Sequence, residues 1–200
     1  ELTFYDLRGL HDKLTASYYD FVLLNNDLIA GVPDILRGLN VPIYPSLAAG
    51  WHSRNKSHHF REVNAIMDRL ADRFDIDPFF LTTSFIECSD FNINNEKSKI
   101  DLYDKAKALF SQLELSYRYY GIDQKPHVFI KANSGSYGMG VLPIDSPDDV
   151  LALNRKQRNQ LTKGKQSQVI NNIILQEGIP SSLRINNQVA ELCLYYASHY

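Results

Sequence analysis

A lysine followed by a run of small residues is the part of this sequence best suited to chemistry. His127-Val-Phe-Ile-Lys131-Ala-Asn-Ser134-Gly135-Ser136-Tyr137-Gly138-Met139-Gly140-Val141 reads as a strand delivering Lys131, a glycine- and serine-rich loop, and a second strand. Glycines let successive backbone N–H groups turn toward one anion, and Ser134 and Ser136 add hydroxyl donors. Lys131 would bring a compact positive charge to phosphate oxygens. No Gly-Lys-Ser or Gly-Lys-Thr closes the loop onto a helix, so it is not a Walker loop. The strand-like residues that follow exclude the Rossmann G-x-G-x-x-G turn. Taken alone, these residues also fit a glycine-rich hairpin carrying a solvated lysine.

Two later runs could complete a nucleotide site. Asn172-Ile-Ile-Leu-Gln176-Glu177-Gly178 is an apolar strand ending in polar atoms, and a strand end with free backbone groups can read an adenine edge. Glu191 sits inside the apolar run from Val189 to Tyr196, where a carboxylate could accept from ribose hydroxyls or help hold magnesium. Solvated strand residues are the alternative reading of both acids. Upstream, Trp51 to His59 gathers Arg54, Lys56, His58 and His59 just before a helix. Cations there oppose the helix dipole, and an anionic ligand would relieve the conflict. His58 and His59 are adjacent, diverge on a helix and lack a third ligand at suitable spacing, so a metal site is not expected from them.

The elements that must position these residues alternate between helix and strand. Tyr19 to Leu24 reads as a buried strand. Phe60, Val63, Met67, Leu70 and Phe74 fall on one face of a helix, and Leu102, Ala106, Leu109, Leu113 and Tyr117 do so in a second. After Gly121 and Pro126 the pattern turns to strands at 127–131, 139–144, 172–176 and 189–196. A helix over 147–160 is announced by Ser146-Pro147-Asp148-Asp149. The basic stretch Asn154 to Asn159 reads as the solvated end of that helix. These elements predict a mixed α/β (α+β) chain: a layered segment over 1–120, then a nucleotide-binding subdomain over 121–200 with an antiparallel-rich sheet.

A net charge of -2 gives no positive field for nucleic acid or an anionic membrane. The apolar runs are too short to span a bilayer. Cys88 and Cys193 are far apart, without a metal-site or disulfide framework, which suits a reducing cytoplasm and predicts two unpaired thiols. The chain opens on Glu1-Leu-Thr-Phe, and a strand-like run reaches almost to Tyr200, so it reads as a segment of a longer protein.

The lysine, the glycine/serine loop, the strand ending in Gln-Glu and the later Ala-Glu together resemble the ATP-grasp superfamily. A closer resemblance, to proteobacterial-type glutamate–cysteine ligases, runs through "LLNNDLIAGVPDIL" (23–36), "AGWHSRNKSHHF" (49–60), "YGIDQKPHVFIKANSGSYGMG" (120–140), "LNRKQRN" (153–159) and "ILQEG" (174–178). It departs at Asn133 and Ser136, where the family loop has Asp and Thr, and at Leu192, where the family has Pro. The resemblance implies an ATP-dependent ligase joining the γ-carboxylate of glutamate to cysteine, with ATP and magnesium as cofactors and small molecules as partners. Lys131 would be its catalytic lysine. The nucleotide would lie among Lys56, Lys131, Ser134, Gly135, Ser136, Tyr137, Gly138, Met139, Gly140, Gln176, Glu177, Gly178 and Glu191, with the magnesium ligands elsewhere. Another ATP-grasp carboxylate–amine ligase and a non-catalytic nucleotide-binding module are the competing functions.

Overall fold

The structure is a computed structural model that describes residues 10, 12–14, 19–134, 140–162, 169–179 and 183–192. The loop positions Gly135, Ser136, Tyr137, Gly138 and Met139 lie outside these residues, as does Cys193. Among the described residues no helix is long and apolar enough to cross a membrane.

The centre is a four-stranded antiparallel sheet built from β3 (Phe85–Cys88), β4 (Val128–Ala132), β5 (Val141–Ile144) and β6 (Ile173–Glu177). The strand order is β3-β6-β4-β5. Side chains alternate across a strand, so each strand contributes one set to each face. Val128, Ile130, Leu142, Ile144, Ile173, Leu175, Ile86 and Cys88 point to one face and form the main core with helix α2 (Glu96–Tyr119). The expected stripe on α2 is the observed one: Leu102, Ala106, Leu109, Leu113 and Tyr117 are all buried. Asn95 caps this helix by accepting from the Ser98 amide. Both β3 and α2 precede Gly121, so the sheet and its core draw on residues from both sides of that break.

Helix α1 (Lys56–Phe74) stands toward the other face of the sheet, with Phe60 against Phe85. Its expected apolar stripe is observed in part: Phe60, Val63 and Met67 are half-buried, and the C-terminal members of the stripe turn outward. Ser57 and Ala71 are the buried residues, whereas Leu70 is 40% and Phe74 60% exposed. Small side chains allow the closest approach of backbones, and here Ser57 and Ala71 make it while Phe60, Val63 and Met67 pack beside them. Upstream, β1 (Val22–Leu23) pairs in parallel with β2 (Ile43–Tyr44), beside a smaller cluster centred on Leu14, Leu28 and Leu36.

Three other expectations need correction. The buried strand expected over Tyr19 to Leu24 is only β1, with Phe21 and Leu23 exposed. The 147–160 helix is broken into a 3-10 turn at Pro147–Val150 and α3 (Arg155–Gln160), because Asn154 is extended and starts its own capping box with Gln157. Residues 193–196 of the strand expected over 189–196 lie outside the described residues; within 189–192 the strand is limited to the end of β8 (Gln188–Val189), in a separate hairpin with β7 (Arg184–Ile185). Asn186 and Asn187 turn that hairpin at positive φ. Glu191 lies beyond β8 and is exposed.

Leu109 fills the centre of the α2–sheet core at 1% exposure. Leu109→Ala should cost about 2–5 kcal/mol of unfolding free energy, the range for a buried leucine that leaves a cavity. Urea denaturation measures it, and a loss under about 1 kcal/mol would contradict this packing.

Candidate active site

Of the residues expected to bind phosphate, Lys56 and Lys131 meet on the α1 side of the sheet. Along β4, Phe129 and Lys131 alternate away from the core, and along β6 so do Ile174 and Gln176. Lys131 pairs with Ile174 in register, which sets it diagonally across from Gln176, and its ammonium donates to Gln176 Oε1 at 2.9 Å. The same ammonium lies 4.9 Å from the Phe129 ring centroid. Burial pushes its pKa down, since a half-dehydrated ammonium gives up its proton more readily.

Lys56 arrives from the first turn of α1. Its ammonium donates to the carbonyl of Ala132 at 2.7 Å and to that of Ser134 at 3.4 Å, beside the start of the glycine-rich loop. Its pKa falls to about 8, first through burial, then through the charges of Lys131 and Arg54. Arg54 itself packs on Trp51, 4.6 Å from the ring centroid. Two lysines from distant parts of the chain are therefore held near enough to repel each other while losing water. Phosphate oxygens would reverse both penalties.

Asn133 holds α1 in place. Asn55 occupies the N-cap position without a side-chain cap; instead the Asn133 carbonyl accepts from Lys56 N at 2.8 Å and its Oδ1 from Ser57 N at 2.8 Å. A fully buried residue 76 positions along the chain from Ser57 thus satisfies two orphan donors of the helix. Asn133 Nδ2 donates to Ser57 Oγ and to Glu87 Oε1, each at 2.9 Å. Glu87 also accepts from Asn172 at 3.0 Å and pairs with Arg61 at 3.1 Å. Sequence reasoning passed over Glu87, although an acid inside the apolar run Phe85–Cys88 was the available signal.

Several expected residues stand differently. Gly140 closes the loop at φ +70, and a Cβ there would meet Ile170 and Ala132 at 3.0 and 3.2 Å, so glycine is required. Glu177 alternates to the core face: its carboxylate accepts from the buried Tyr117 hydroxyl and from Ser84 N, both at 3.3 Å. The Glu177 amide donates to Ser84 O and the Gly178 amide to His127 O, so neither N–H is free to read an adenine edge. Gly178 packs so tightly on the His127 ring that a Cβ would overlap it. Glu191, just past the separate hairpin, is not in the sheet that carries Lys131. His58 is exposed and lies 3.8 Å from Glu62 on the same helix. Cys88 is a free, buried thiol whose pKa burial pushes up to about 11.

A family model described as GshA, glutamate-cysteine ligase, matches residues 7–200, nearly the whole chain. The chain belongs to the glutamate–cysteine ligase family. Its fold is shared with the crystal structure of a "putative gamma-glutamylcysteine synthetase" from Methylobacillus flagellatus KT, at 40% identity and a TM-score of 0.71. The match covers 80% of this chain and 38% of that one, so this chain spans well under half the length of that relative. No curated protein matches.

The magnesium implied by the family resemblance does not fit the described residues. No group of three or more His, Cys, Asp or Glu is placed to hold a metal among them. The Glu87 carboxylate is filled by amide and guanidinium donors, and that of Glu177 faces the core.

The lysine geometry has a pH signature. Lysine in the unfolded chain keeps its proton to about pH 10.4, whereas folded Lys56 releases it near 8. Between these values the unfolded state binds more protons, so this group makes stability rise with pH and contributes no further change above the window. Without nucleotide, the stability of the wild type relative to Lys56→Met should climb between pH 8 and 10 by on the order of 1 kcal/mol, reduced by solvent screening of a half-buried group. Urea denaturation across that range gives the difference; a flat one would mean that Lys56 titrates as an ordinary lysine.

Proposed function

We propose that this chain carries the triphosphate-holding part of an ATP-dependent glutamate–cysteine ligase of the ATP-grasp type. The observation that supports this reading best is the convergence of Lys56 and Lys131 at the mouth of the glycine-rich loop. Two mutually repelling, partly dehydrated ammonium groups are costly unless a polyanion is the intended guest. Membership of the glutamate–cysteine ligase family supplies the reaction class.

In this reading ATP transfers its γ-phosphoryl group to the γ-carboxylate of glutamate. The cysteine amine then attacks the acyl phosphate, forming γ-glutamylcysteine and releasing phosphate. Negative charge spreads over the transferred group, so positioned cations lower the barrier electrostatically, without covalent participation. Gln176 holds the Lys131 ammonium on the open face of the sheet, and the Ala132 and Ser134 carbonyls hold that of Lys56. We assign the ADP-forming reaction to the reducing cytoplasm, which suits the buried free thiol of Cys88.

Lys131→Met keeps most of the stem volume and removes the charge. In the intact protein it should lower γ-glutamylcysteine formation by on the order of a hundredfold while the melting temperature stays close to wild type. Lys131→Arg should restore little, because a planar fork does not reproduce a compact ammonium held between Gln176 and the Phe129 ring. Near-normal turnover in Lys131→Met would refute the assignment.

A further inference from the structure

We propose that Glu87 is a positioning residue for Lys56, acting through the carboxamide of Asn133; the inference rests on the nucleotide reading of Lys56 above. Glu87 lies on β3, an edge strand, and points with Phe85 to the α1 side of the sheet. It touches no residue of the glycine-rich loop beyond Asn133 among the described contacts. Its influence has to pass through hydrogen bonds.

The chain of contacts is short. Glu87 Oε1 accepts from Asn133 Nδ2 at 2.9 Å and from Asn172 Nδ2 at 3.0 Å, while Oε2 accepts from Arg61 at 3.1 Å. An ionised carboxylate can only accept, so it fixes which end of the Asn133 amide faces it. Nδ2 must point to Glu87, which leaves Oδ1 to accept the Ser57 amide. With the amide turned around, oxygen would face carboxylate and nitrogen would face the Ser57 N–H, two repulsive contacts in a buried site. Asn133 and Asn172 are also tied directly, Asn133 N donating to Asn172 O at 2.9 Å.

The first turn of α1 depends on this orientation. Lys56 N is bonded to Asn133 O and Ser57 N to Asn133 Oδ1, and the Lys56 ammonium rests on the carbonyl of Ala132, the residue before Asn133. Glu87 thus fixes the amide and also bonds the Ser57 side chain, the two together fix the helix start, and the helix start aims the lysine. The Asn172 and Ser57 donors and Arg61 hold the Glu87 carboxyl below its usual range against the opposing effect of burial, consistent with an acceptor that stays ionised.

A swap of charge and amide tests this in the intact protein, reading ATP affinity by calorimetric titration alongside a thermal melt. Asn133→Asp sets a second carboxylate against Glu87 and should weaken ATP binding about tenfold or more. Adding Glu87→Gln to that variant returns one amide and one carboxylate to the pair, and affinity should recover to within about threefold of wild type. Glu87→Ala should weaken ATP binding while the protein still melts cooperatively; if it does not fold, the swap pair decides alone. Lys56→Met is the control for the underlying reading. Unchanged ATP affinity in Lys56→Met would overturn the nucleotide role of Lys56 itself. Weakened affinity in Lys56→Met with normal affinity in Asn133→Asp, or no recovery in the double variant, would overturn the role of Glu87.

Discussion

The buried carboxamide of Asn133 is the contact on which the site depends. It ends β4, reaches the start of α1 and meets Glu87 on β3, so three elements distant in sequence share one group. Burying an amide is unfavourable unless all its polar atoms are paired, and a half-paired arrangement is worse than an apolar one. Because the Asn133 bonds draw on both backbone and side chain, small shifts of α1 against the sheet would break several at once. That cooperativity is what converts a helix docked through small residues into one with a fixed register. A neutral amide leaves Glu87 ionised and matched to Arg61, whereas Asp would place two acids in contact.

Rigid placement matters because the two lysines oppose each other. Charged Lys56 and Lys131 lose hydration and repel, and the folded protein holds both in that state. The opposing stabilisation comes from the α2–sheet core on the far face, where Leu102, Leu109, Leu113, Ile130, Ile173 and Leu175 are almost completely buried. One face of the sheet thus supplies apolar burial while the other keeps cations poised. A site preorganised in this way need not reorganise when anionic charge arrives, which is the condition under which electrostatic stabilisation is largest.

Legibility from sequence followed the same division. Where packing alone decides, pattern was enough: the α2 stripe and strands β4, β5 and β6 lie close to where periodicity put them. Where a long-range hydrogen bond decides, pattern failed. The start of α1 is held by a cap contributed 76 residues away, which no window on the helix contains. The pairing of Lys131 with Gln176 depends on the register of β4 against β6, and the inward turn of Glu177 on which face Ile173 and Leu175 occupy. Glu87 and Glu191 carried the same signal, an acid in an apolar run, and only burial distinguished them.

The end of β6 constrains how a purine could be read there. Adenine presents both donors and acceptors along its edge, so a strand end that recognises it must offer an N–H as well as a carbonyl. The amides of Glu177 and Gly178 are already committed to Ser84 and His127. Because Gly178 lies against the His127 ring without room for a Cβ, the strand cannot shift to release its amide without displacing the imidazole. The next backbone donor along the chain is Ile179, which is exposed. Base recognition, if it uses this strand, is therefore displaced beyond Gly178, one residue or more past the sheet. Lys131 pairs with Ile174, yet its ammonium reaches diagonally to Gln176, one residue before Glu177, so the charge it carries sits nearer the end of β6 than its backbone does.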